Sequence, residues 1–465
     1  MAVASLGAGS GVLTSTVIDQ LKAADTSALI TPIDNKITLQ KQKDSALSLL
    51  NSLLSTFNSS ASALGDTSLY QKRSVSGGTS SVSVTADAGV AVQSFSISNT
   101  VLAQKNIKES GTFAATTNSI ASGSGDVGLT VGGVVYTVPY TSATTLEELR
   151  DSINTIAGSS VKASTLQVGS GDYRLVLASV KTGLDQNIVM TDSTGGSLST
   201  KLLAYDLTNN PTGMQNIQAS LDATFKYNGI SMTRSTNTIT DIVPGMTIDL
   251  LTDSGSANIS IAQDTQAISD ELKSFTQNYN TLTSQLTSMT TADIAAGKVG
   301  IFNGDNSINA ITREINKIIT SVNNNGLSLP QFGIDLSQTG TMSFNSSTFL
   351  TKFNENPSAS ETFFAGSTTI DSAGNTSRKN GLFTSMKDLL VRYTGSSGIM
   401  QTLTTGSATE LKALTLNKTR SQSLLDARYE TMTARFVQYD TIMSRLTSQF
   451  SSLKQQIDAM AAANK

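Results

Sequence analysis

Residues 425–460 read LDARYETMTARFVQYDTIMSRLTSQFSSLKQQIDAM, and this stretch decides the fold. Its apolar residues recur in steps of four and three without a miss, at Leu425, Tyr429, Met432, Phe436, Tyr439, Met443, Leu446, Phe450, Leu453, Ile457 and Met460. This alternation is a heptad seam of about five heptads, which is typical of a coiled coil. Burying one large apolar side chain contributes roughly 1.5–3 kcal/mol, so we expect another helix to cover the stripe.

A second heptad pattern near the N-terminus supplies a partner. A helix begins near Thr14, where Leu13, Val17 and Leu21 follow i, i+4 spacing. In a second helix the four-three alternation runs through Ile33, Ile37, Gln40, Asp44, Leu47, Leu50, Leu54, Phe57, Ala61 and Leu64. Pro32 suits the first turn of that second helix, and Gly65 suits its C-cap. The economical interpretation is that the two terminal patterns pack together, so that the middle of the chain is inserted into a discontinuous helical part. The alternative is two unrelated core helices.

The middle of the chain changes to the alternating pattern of half-buried strands. Such segments span residues 74–85, 93–98, 129–138, 161–168, 173–178, 223–233, 238–251 and 257–261. Asn228–Gly229 is a strong signal for a hairpin turn, and Thr145 with Glu148 forms a capping box that opens a short helix before Gly158. Helical periods return after Asp264. The sequence therefore predicts an α+β fold, a helical coiled-coil stalk formed by both termini with inserted β-rich head domains.

The composition excludes several classes of function. The 465 residues include no Cys, no His and no Trp, which removes disulfides, thiolate nucleophiles, Cys/His zinc sites and any triad with a His base. The net charge is −3 without a basic block, so we expect no nucleic-acid partner. No apolar run approaches the roughly 20 residues that span a membrane, and the first residues lack the pattern of a cleavable signal peptide.

Three motifs suggest chemistry but fit structural roles better. Residues 123–128 match G-x-G-x-x-G, yet a strand-like segment follows where a dinucleotide loop needs a helix. Residues 7–11 are glycine-rich, but no Lys follows to reach a phosphate. Residues 302–306 carry oxygen ligands without the downstream Glu of a calcium loop, which favours helix capping by Asp305 or Asn306. We predict no catalytic group, no cofactor, no metal and no enzymatic activity.

Several motifs spread over most of the chain resemble the flagellar filament cap protein family, also called hook-associated protein 2. The family's start is similar to residues 5–11 (SLGAGSG), and its central signature is similar to residues 221–245, which include Asn228–Gly229 and Pro244–Gly245. Residues 300–305 (GIFNGD), 332–335 (FGID), 340–344 (GTMSF) and 428–453 also match. Residues 146–154 resemble a short motif of hook-associated proteins.

The resemblance implies a structural protein at the distal tip of the bacterial flagellar filament. It implies secretion in the unfolded state through the flagellar type III export apparatus, with a cytosolic export chaperone. Its partners would be further copies in a ring of five or six subunits, flagellin, and the hook–filament junction proteins. The ring would let exported flagellin subunits fold and insert below it. The alternatives are another axial protein, either a junction protein or a flagellin, and an added adhesin role of the head.

The resemblance also implies a division of the chain. Residues 1–46 and 425–465 would form a coiled-coil leg, and residues 47–70 and 265–424 a helical domain. Residues 71–105 and 214–264 would form an inner β-rich head domain, and residues 106–213 an outer one with one helix. The candidate contact residues of the leg, for subunits or flagellin, are Leu13, Val17, Leu21, Phe436, Met443, Leu446, Phe450 and Leu453. The alternative for each is ordinary packing within a helix pair. Because the C-terminal seam is longer and more apolar than one N-terminal helix requires, we expect another molecule to cover part of residues 436–460.

Overall fold

The structure is a computed structural model that describes residues 14–293, 297–323, 325–370, 374 and 376–463. Its α-helices, in chain order, are α1 (Ser15–Leu29), α2 (Thr31–Leu64), α3 (Thr67–Gln71), α4 (Leu146–Ile156), α5 (Thr265–Thr290), α6 (Asn306–Ile319), α7 (Ser346–Glu355), α8 (Pro357–Ala365), α9 (Leu382–Thr394) and α10 (Ile399–Ala463).

The strands lie mainly between α3 and α5. In chain order they are β1 (Arg73–Ser76), β2 (Val82–Ala86), β3 (Gln93–Val101), β4 (Ile107–Glu109), β5 (Gly125–Val131), β6 (Val134–Tyr140), β7 (Val161–Gly169), β8 (Asp172–Ser179), β9 (Val189–Asp192), β10 (Gln215–Gln218), β11 (Ala223–Tyr227), β12 (Ile230–Arg234), β13 (Thr238–Ile239), β14 (Met246–Leu250), β15 (Ala257–Gln263), β16 (Ala292–Asp293), β17 (Lys298–Val299), β18 (Ile334–Leu336), β19 (Met342–Phe344), β20 (Gly366–Ile370) and β21 (Thr376–Asn380). The predicted α+β class with helical termini and a β-rich insert is confirmed.

The first of two units contains the described residues up to Thr67 and those from Ile268 onwards. In it α2 packs along α9 and α10, and α1 packs against α10, so the predicted pairing of the two termini is confirmed. Pro32 lies in the first turn of α2, and the N–H of Gly65 donates to the carbonyl of Ala61 at its end. The two segments of this unit come from opposite ends of the chain. The unit can therefore fold completely only after residues 68–267, which separate its segments, have been synthesised.

A chain of aromatic rings fills the core of the first unit. Phe57 of α2 lies 4.8 Å from Phe275 of α5, between ring centroids, and Phe275 lies 4.9 Å from Phe383 of α9. The ring contacts continue from Phe383 to Phe364 of α8 and from there to Phe332. The ring centroids of Phe364 and Phe332 are 4.6 Å apart. Such ring pairs contribute about 0.5–1.5 kcal/mol each beyond their buried area, and here they join α2, α5, α8 and α9.

The long helix α10 runs unbroken from Ile399 to Ala463. Lys418 and Ser421 interrupt the apolar seam of α10, but the helix continues through both residues, because both are tolerated on a helix surface. Lys418 lies at the rim of the α2–α10 contact, where its Nζ is 2.6 Å from a carboxylate oxygen of Asp34. One rigid element therefore carries both the part of the seam that α2 covers and the part that lies beyond it.

The second unit, residues 68–267, holds two separate hydrophobic cores. One core lies among a five-stranded sheet of order β1-β15-β3-β11-β12 and a three-stranded sheet of order β13-β14-β2. The other lies among a four-stranded sheet of order β10-β4-β8-β7, a three-stranded sheet of order β6-β5-β9, and α4. The paired strands of all four sheets are antiparallel.

Local signals read from the sequence account for the turns and caps of this unit. Asn228 and Gly229 have φ of 48° and 82° between β11 and β12, the left-handed conformation that a two-residue hairpin needs. At the start of α4 the N–H of Thr145 donates to Glu148 Oε2 (2.9 Å) and the N–H of Glu148 donates to Thr145 Oγ1 (3.2 Å). Both predictions are confirmed.

Candidate interaction surface of the terminal helices

Residues along α1 and at its C-terminal end pack against the first part of the C-terminal seam. Ile18 and Ile30 are buried with Leu425 and Tyr429 of α10. Met432 and Phe436, both half-buried, close this small cluster on its α10 side. The heptad positions of residues 425–436 are therefore covered by the chain's own α1.

Ionic and polar contacts flank this cluster. Lys22 Nζ lies 2.8 Å from a carboxylate oxygen of Asp426, and this interaction holds the pKa of Asp426 below its usual range. The Tyr429 hydroxyl donates to Asp25 (2.9 Å), and Arg428 lies 3.4 Å from the same carboxylate. Burial, and then the contact with Asp25, raises the pKa of Tyr429. Partly exposed ion pairs contribute only about 0–1 kcal/mol each, so these contacts fix direction and register more than stability.

A polar layer lies between α2 and α10, where the N-terminal seam carries Gln40 and Asp44. The Gln40 amide donates to the carbonyl of Ser407 (3.2 Å) and to its hydroxyl, and that hydroxyl donates to the carboxylate of Asp44. All three side chains are half-buried between α2 and α10. A polar layer inside an apolar seam disfavours every register in which its members lose their partners.

Helix α10 runs antiparallel to α1 and α2. Residues later in α10 therefore contact residues earlier in the N-terminal helices. Asp34 faces Lys418, whereas Lys22 faces Asp426. A shallow groove of about 780 Å³ lies beside the start of α1 and extends from Asp426 to Gln438 of α10. Ile18, Asp19 and Lys22 line the α1 side of this groove.

Beyond the groove, no other part of the chain that the structure describes buries α10. Asp440 is the last buried residue along it, and every residue of 441–462 is exposed. This stretch still carries the heptad residues Met443, Leu446, Phe450, Leu453, Ile457 and Met460. Single exposed apolar residues are ordinary on protein surfaces, but a continuous helical stripe of them is typical of an interaction site.

The candidate contact residues fall into three groups. Leu13 lies outside the described residues. Phe436 is half-buried and packs against the cluster at the α1–α10 contact, so its side chain serves this helix pair in part, and Val17 of α1 is also half-buried. The others expose large fractions of their side chains, namely Leu21 (48%), Met443 (47%), Leu446 (42%), Phe450 (68%) and Leu453 (53%).

Four further residues extend the exposed surface beyond the candidates. Tyr439, Ile457 and Met460 have exposed fractions of 59%, 58% and 69%, and their place in the heptad pattern was the signal that could have added them. Ile442 is 52% exposed and lies off the seam, next to Met443. The heptad pattern does not include Ile442, so no sequence signal pointed to it.

The motifs with possible chemistry have structural roles. Asp305 caps α6, and its carboxylate accepts from the N–H groups of Ser307 (2.9 Å) and Ile308 (3.2 Å). Residues 125–128 belong to β5, so no helix N-terminus follows that glycine-rich motif. Residues 7–11 lie outside the described part of the chain. Among the residues that the structure describes, no group of three or more Asp or Glu side chains is placed to hold a metal ion.

Nor does any described helix combine the length and apolar character of a membrane-spanning segment. The exposed end of α10 presents an apolar stripe with few charges.

Comparison with family models identifies both ends of the chain. The model described as flagellar hook-associated protein 2 C-terminus matches residues 220–459, and the model described as flagellar hook-associated protein 2 N-terminus matches residues 10–106. The C-terminal match covers the whole of α5 to α9 and nearly all of α10, including most of the exposed stripe.

Individual relatives agree with the family models. Flagellar hook-associated protein 2 of Campylobacter jejuni is 31% identical over 426 residues, which are 80% of this chain and 66% of that protein. The chain thus spans just under two thirds of that relative's length. Flagellar hook-associated protein 2 of Escherichia coli K12 is 27% identical over 471 residues, which are 98% of each chain.

A solved structure shares the fold. The D1-D2-D3 domains of the flagellar cap protein FliD from Escherichia coli superpose with a TM-score of 0.59 at 26% identity, covering 78% of this chain and 99% of that one.

Proposed function

This chain belongs to the flagellar hook-associated protein 2 family, and we propose that it is a structural capping protein at the distal tip of the bacterial flagellar filament. It promotes the folding and ordered insertion of exported flagellin subunits. It works by binding, without catalysing a reaction. The observation that carries the proposal is the match of the family model to residues 220–459, a region that ends in an exposed apolar helix.

The protein acts as a ring of identical subunits outside the cell. It reaches the filament tip as a chain secreted through the flagellar export apparatus, after a cytosolic chaperone has released it. A chain without Cys is suited to this route because no disulfide has to be broken before export. Hook–filament junction proteins and flagellin lie below the ring.

Each part of the chain has its own task in this proposal. The coiled-coil leg, residues 1–46 and 425–465, contacts flagellin or neighbouring subunits. The helical domain, residues 47–70 and 265–424, joins the leg to two head domains, residues 71–105 with 214–264 and residues 106–213. The two separate hydrophobic cores within residues 68–267 support the division of the head into two.

Deletion of the gene tests the capping function directly. Cells that lack the protein are expected to release unpolymerised flagellin into the medium and to carry short filaments or none, because no template holds the incoming subunits. The measurement is the amount of flagellin in the culture supernatant, compared with that in cells complemented with the intact gene. Filaments of normal length in the deletion strain would refute the proposal.

A further inference from the structure

We propose that the turn at residues 182–184 is a latch, which holds the two hydrophobic cores of residues 68–267 in one orientation and opens while both cores stay folded. The core between the sheets of β3 and β14 is here named the β3 core. The core among the sheets of β8 and β5 and helix α4 is named the β8 core. The proposal is independent of the capping function, because it depends only on contacts within this part of the chain.

Two backbone segments join the cores. The chain leaves the β3 core through residues 103–106 and returns through residues 219–222, and these two segments are named the neck. The N–H of Gln104 donates to the carbonyl of Leu221 (2.8 Å), and the N–H of Leu221 donates to the carbonyl of Gln104 (3.2 Å).

The two cores share little besides the neck. In residues 68–267, all of which the structure describes, no sheet contains strands of both cores, and no residue belongs to both hydrophobic clusters. Relative motion is the expected behaviour of two domains unless the contact between them is large and apolar. A fixed orientation of the two cores therefore requires a further contact.

Asparagine side chains fix both ends of the neck. At the β8 core, the amide of Asn106 donates to the carbonyl of Gln218 (2.9 Å), and its Oδ1 accepts from the N–H of Ile188 (2.9 Å). At the β3 core, Asn237 Oδ1 accepts from the N–H of Ala103 (2.7 Å), and its amide donates to the carbonyl of the same residue (3.0 Å). Bending between the cores is therefore concentrated in the short paired part between these ends.

The latch connects the β8 core to the β3 side of the neck. Thr182 Oγ1 donates to the carbonyl of Ser235, which follows β12, and the N–H of Leu184 donates to Asp222 Oδ1, both at 2.7 Å. The Ser220 hydroxyl donates to the carbonyl of Leu184 (3.1 Å). The Leu184 side chain is 60% exposed, so hydrogen bonds rather than apolar burial hold this turn. Water replaces such bonds at little net cost, which suits a contact that opens.

Gly183 allows the turn to approach this closely. Its φ is 115°, a conformation that other residues rarely adopt. A Cβ at this position would lie 2.8 Å from the Cβ of Ser235 and 3.2 Å from Asp222 Oδ1. The N–H of Gly183 also donates to the carbonyl of Gln104 in the neck (3.2 Å). The latch therefore contacts the neck and the β3 core through a backbone that suits glycine alone.

Opening of the latch is measured as the distribution of distances between the cores. Because the chain has no Cys, Lys162→Cys on β7 and Lys226→Cys on β11, both at exposed positions, place one spin label on each core. Double electron–electron resonance is recorded on the full-length protein, diluted with unlabelled protein so that distances within one subunit dominate. A single narrow distribution is expected while the latch is intact.

Thr182→Ala combined with Asp222→Ala removes two hydrogen bonds of the latch. We expect the distance distribution to broaden and the amide hydrogen of Leu184 to exchange about tenfold faster. The amide hydrogens of Leu177 in the β8 core and Ile259 in the β3 core are expected to exchange at their original rates. Asp222→Asn keeps an oxygen that accepts from Leu184, so it is expected to retain the narrow distribution.

Asp206→Ala combined with Thr208→Ala is the matched control. Asp206 Oδ1 accepts from the N–H of Thr208 (2.8 Å) in an exposed turn between β9 and β10, away from the neck. Loss of this contact is expected to leave the distances between the cores unchanged.

Gly183→Ala is a second latch variant, because it displaces the turn without removing a polar group. Broad distributions in both latch variants, with both cores folded, would support the proposal. Narrow distributions in both folded variants would overturn it, as would a distribution in the unmodified latch as broad as theirs. Loss of folding of either core in both variants would show that the turn supports the cores themselves, and this too would overturn the proposal.

Discussion

Tyr279 of α5 shows how one buried residue ties stability to pH. Its ring is fully buried, its hydroxyl donates to Asn316 Oδ1 (2.8 Å), and burial raises its pKa to about 12. An unfolded Tyr ionises near pH 10, so its contribution to the free energy of unfolding is complete below about pH 10 and is lost as the pH rises towards 12.

We therefore predict that Tyr279→Phe flattens this alkaline loss of stability. At neutral pH the variant is expected to be about 1 kcal/mol less stable, because Asn316 loses a hydrogen-bond donor. Denaturant unfolding at pH 8, 10 and 11 measures both effects. Tyr439→Phe, at an exposed position, is the control, and equal pH slopes for all three proteins would contradict the prediction.

Residue-level features were predictable where their chemistry is local. The Asp305 cap and the Asn228–Gly229 turn depend on atoms within a few residues, and the sequence displays all of them. The contact of Tyr279 with Asn316 joins two helices, and no local pattern announces it. The same limit applies to Ile442, which is exposed beside a seam to which it does not belong.

The polar layer of Gln40, Asp44 and Ser407 allows the pairing of two secondary-structure elements, α2 and α10, to be tested by mutation. Ser407→Ala removes the hydroxyl that both partners use, and we expect it to destabilise the pair by about 1 kcal/mol because half-buried Asp44 loses its donor and Gln40 keeps only the backbone carbonyl of residue 407. Combining it with Gln40→Leu and Asp44→Leu is expected to recover or exceed the original stability, since apolar residues then fill the seam.

Amide hydrogen exchange of α2 provides the readout, with Ser451→Ala on the exposed end of α10 as the matched control. Faster exchange in Ser407→Ala, restored in the triple variant, supports the layer as a device that fixes register at some cost in stability. Slower exchange in Ser407→Ala than in the unmodified protein would contradict this view.

Secondary-structure elements were predicted well where a single hydrophobic repeat dominates the sequence. The heptads of α2 and of the end of α10 indicate both helices and their pairing. The start of α10 at Ile399 was not predicted, because polar residues such as Ser407 and Lys418 occupy its seam and their partners lie hundreds of positions away. The β20–β21 hairpin was missed for a related reason, since its strands are mostly exposed and lack an apolar alternation.

Assembly is the property of the whole molecule that the exposed stripe should control. We predict that Phe450→Ser combined with Leu453→Ser leaves the folded subunit unchanged, because both side chains are exposed in it. Ring stability or filament growth is expected to fall by roughly 10-fold or more, since each lost burial is worth about 1.5–3 kcal/mol.

The measurements are the secondary structure and melting temperature of the variant, electron microscopy of its rings, and filament length in cells. Ser451→Ala combined with Ser452→Ala changes the neighbouring face and is expected to alter none of them. Unchanged rings and filaments in the Phe450 and Leu453 variant would show that another surface carries assembly.

The order of the sheets belongs to the scale of the whole molecule, and the sequence did not reveal it. Val75 of β1 pairs with Ile261 of β15, and Phe95 of β3 pairs with Ile259 of the same strand. Alternation predicts that each segment is a strand with one buried face, but many partners satisfy that face equally. Tertiary packing makes the choice among them.

The unbroken backbone of α10 has a mechanical consequence. Residues 441–462 extend about 33 Å at 1.5 Å per residue, and among the described residues the nearest support of this arm is the contact between α1 and α10. A sideways force on the tip therefore acts as a torque on that contact, and the contacts of Lys22 and Asp25 with α10 bear the load.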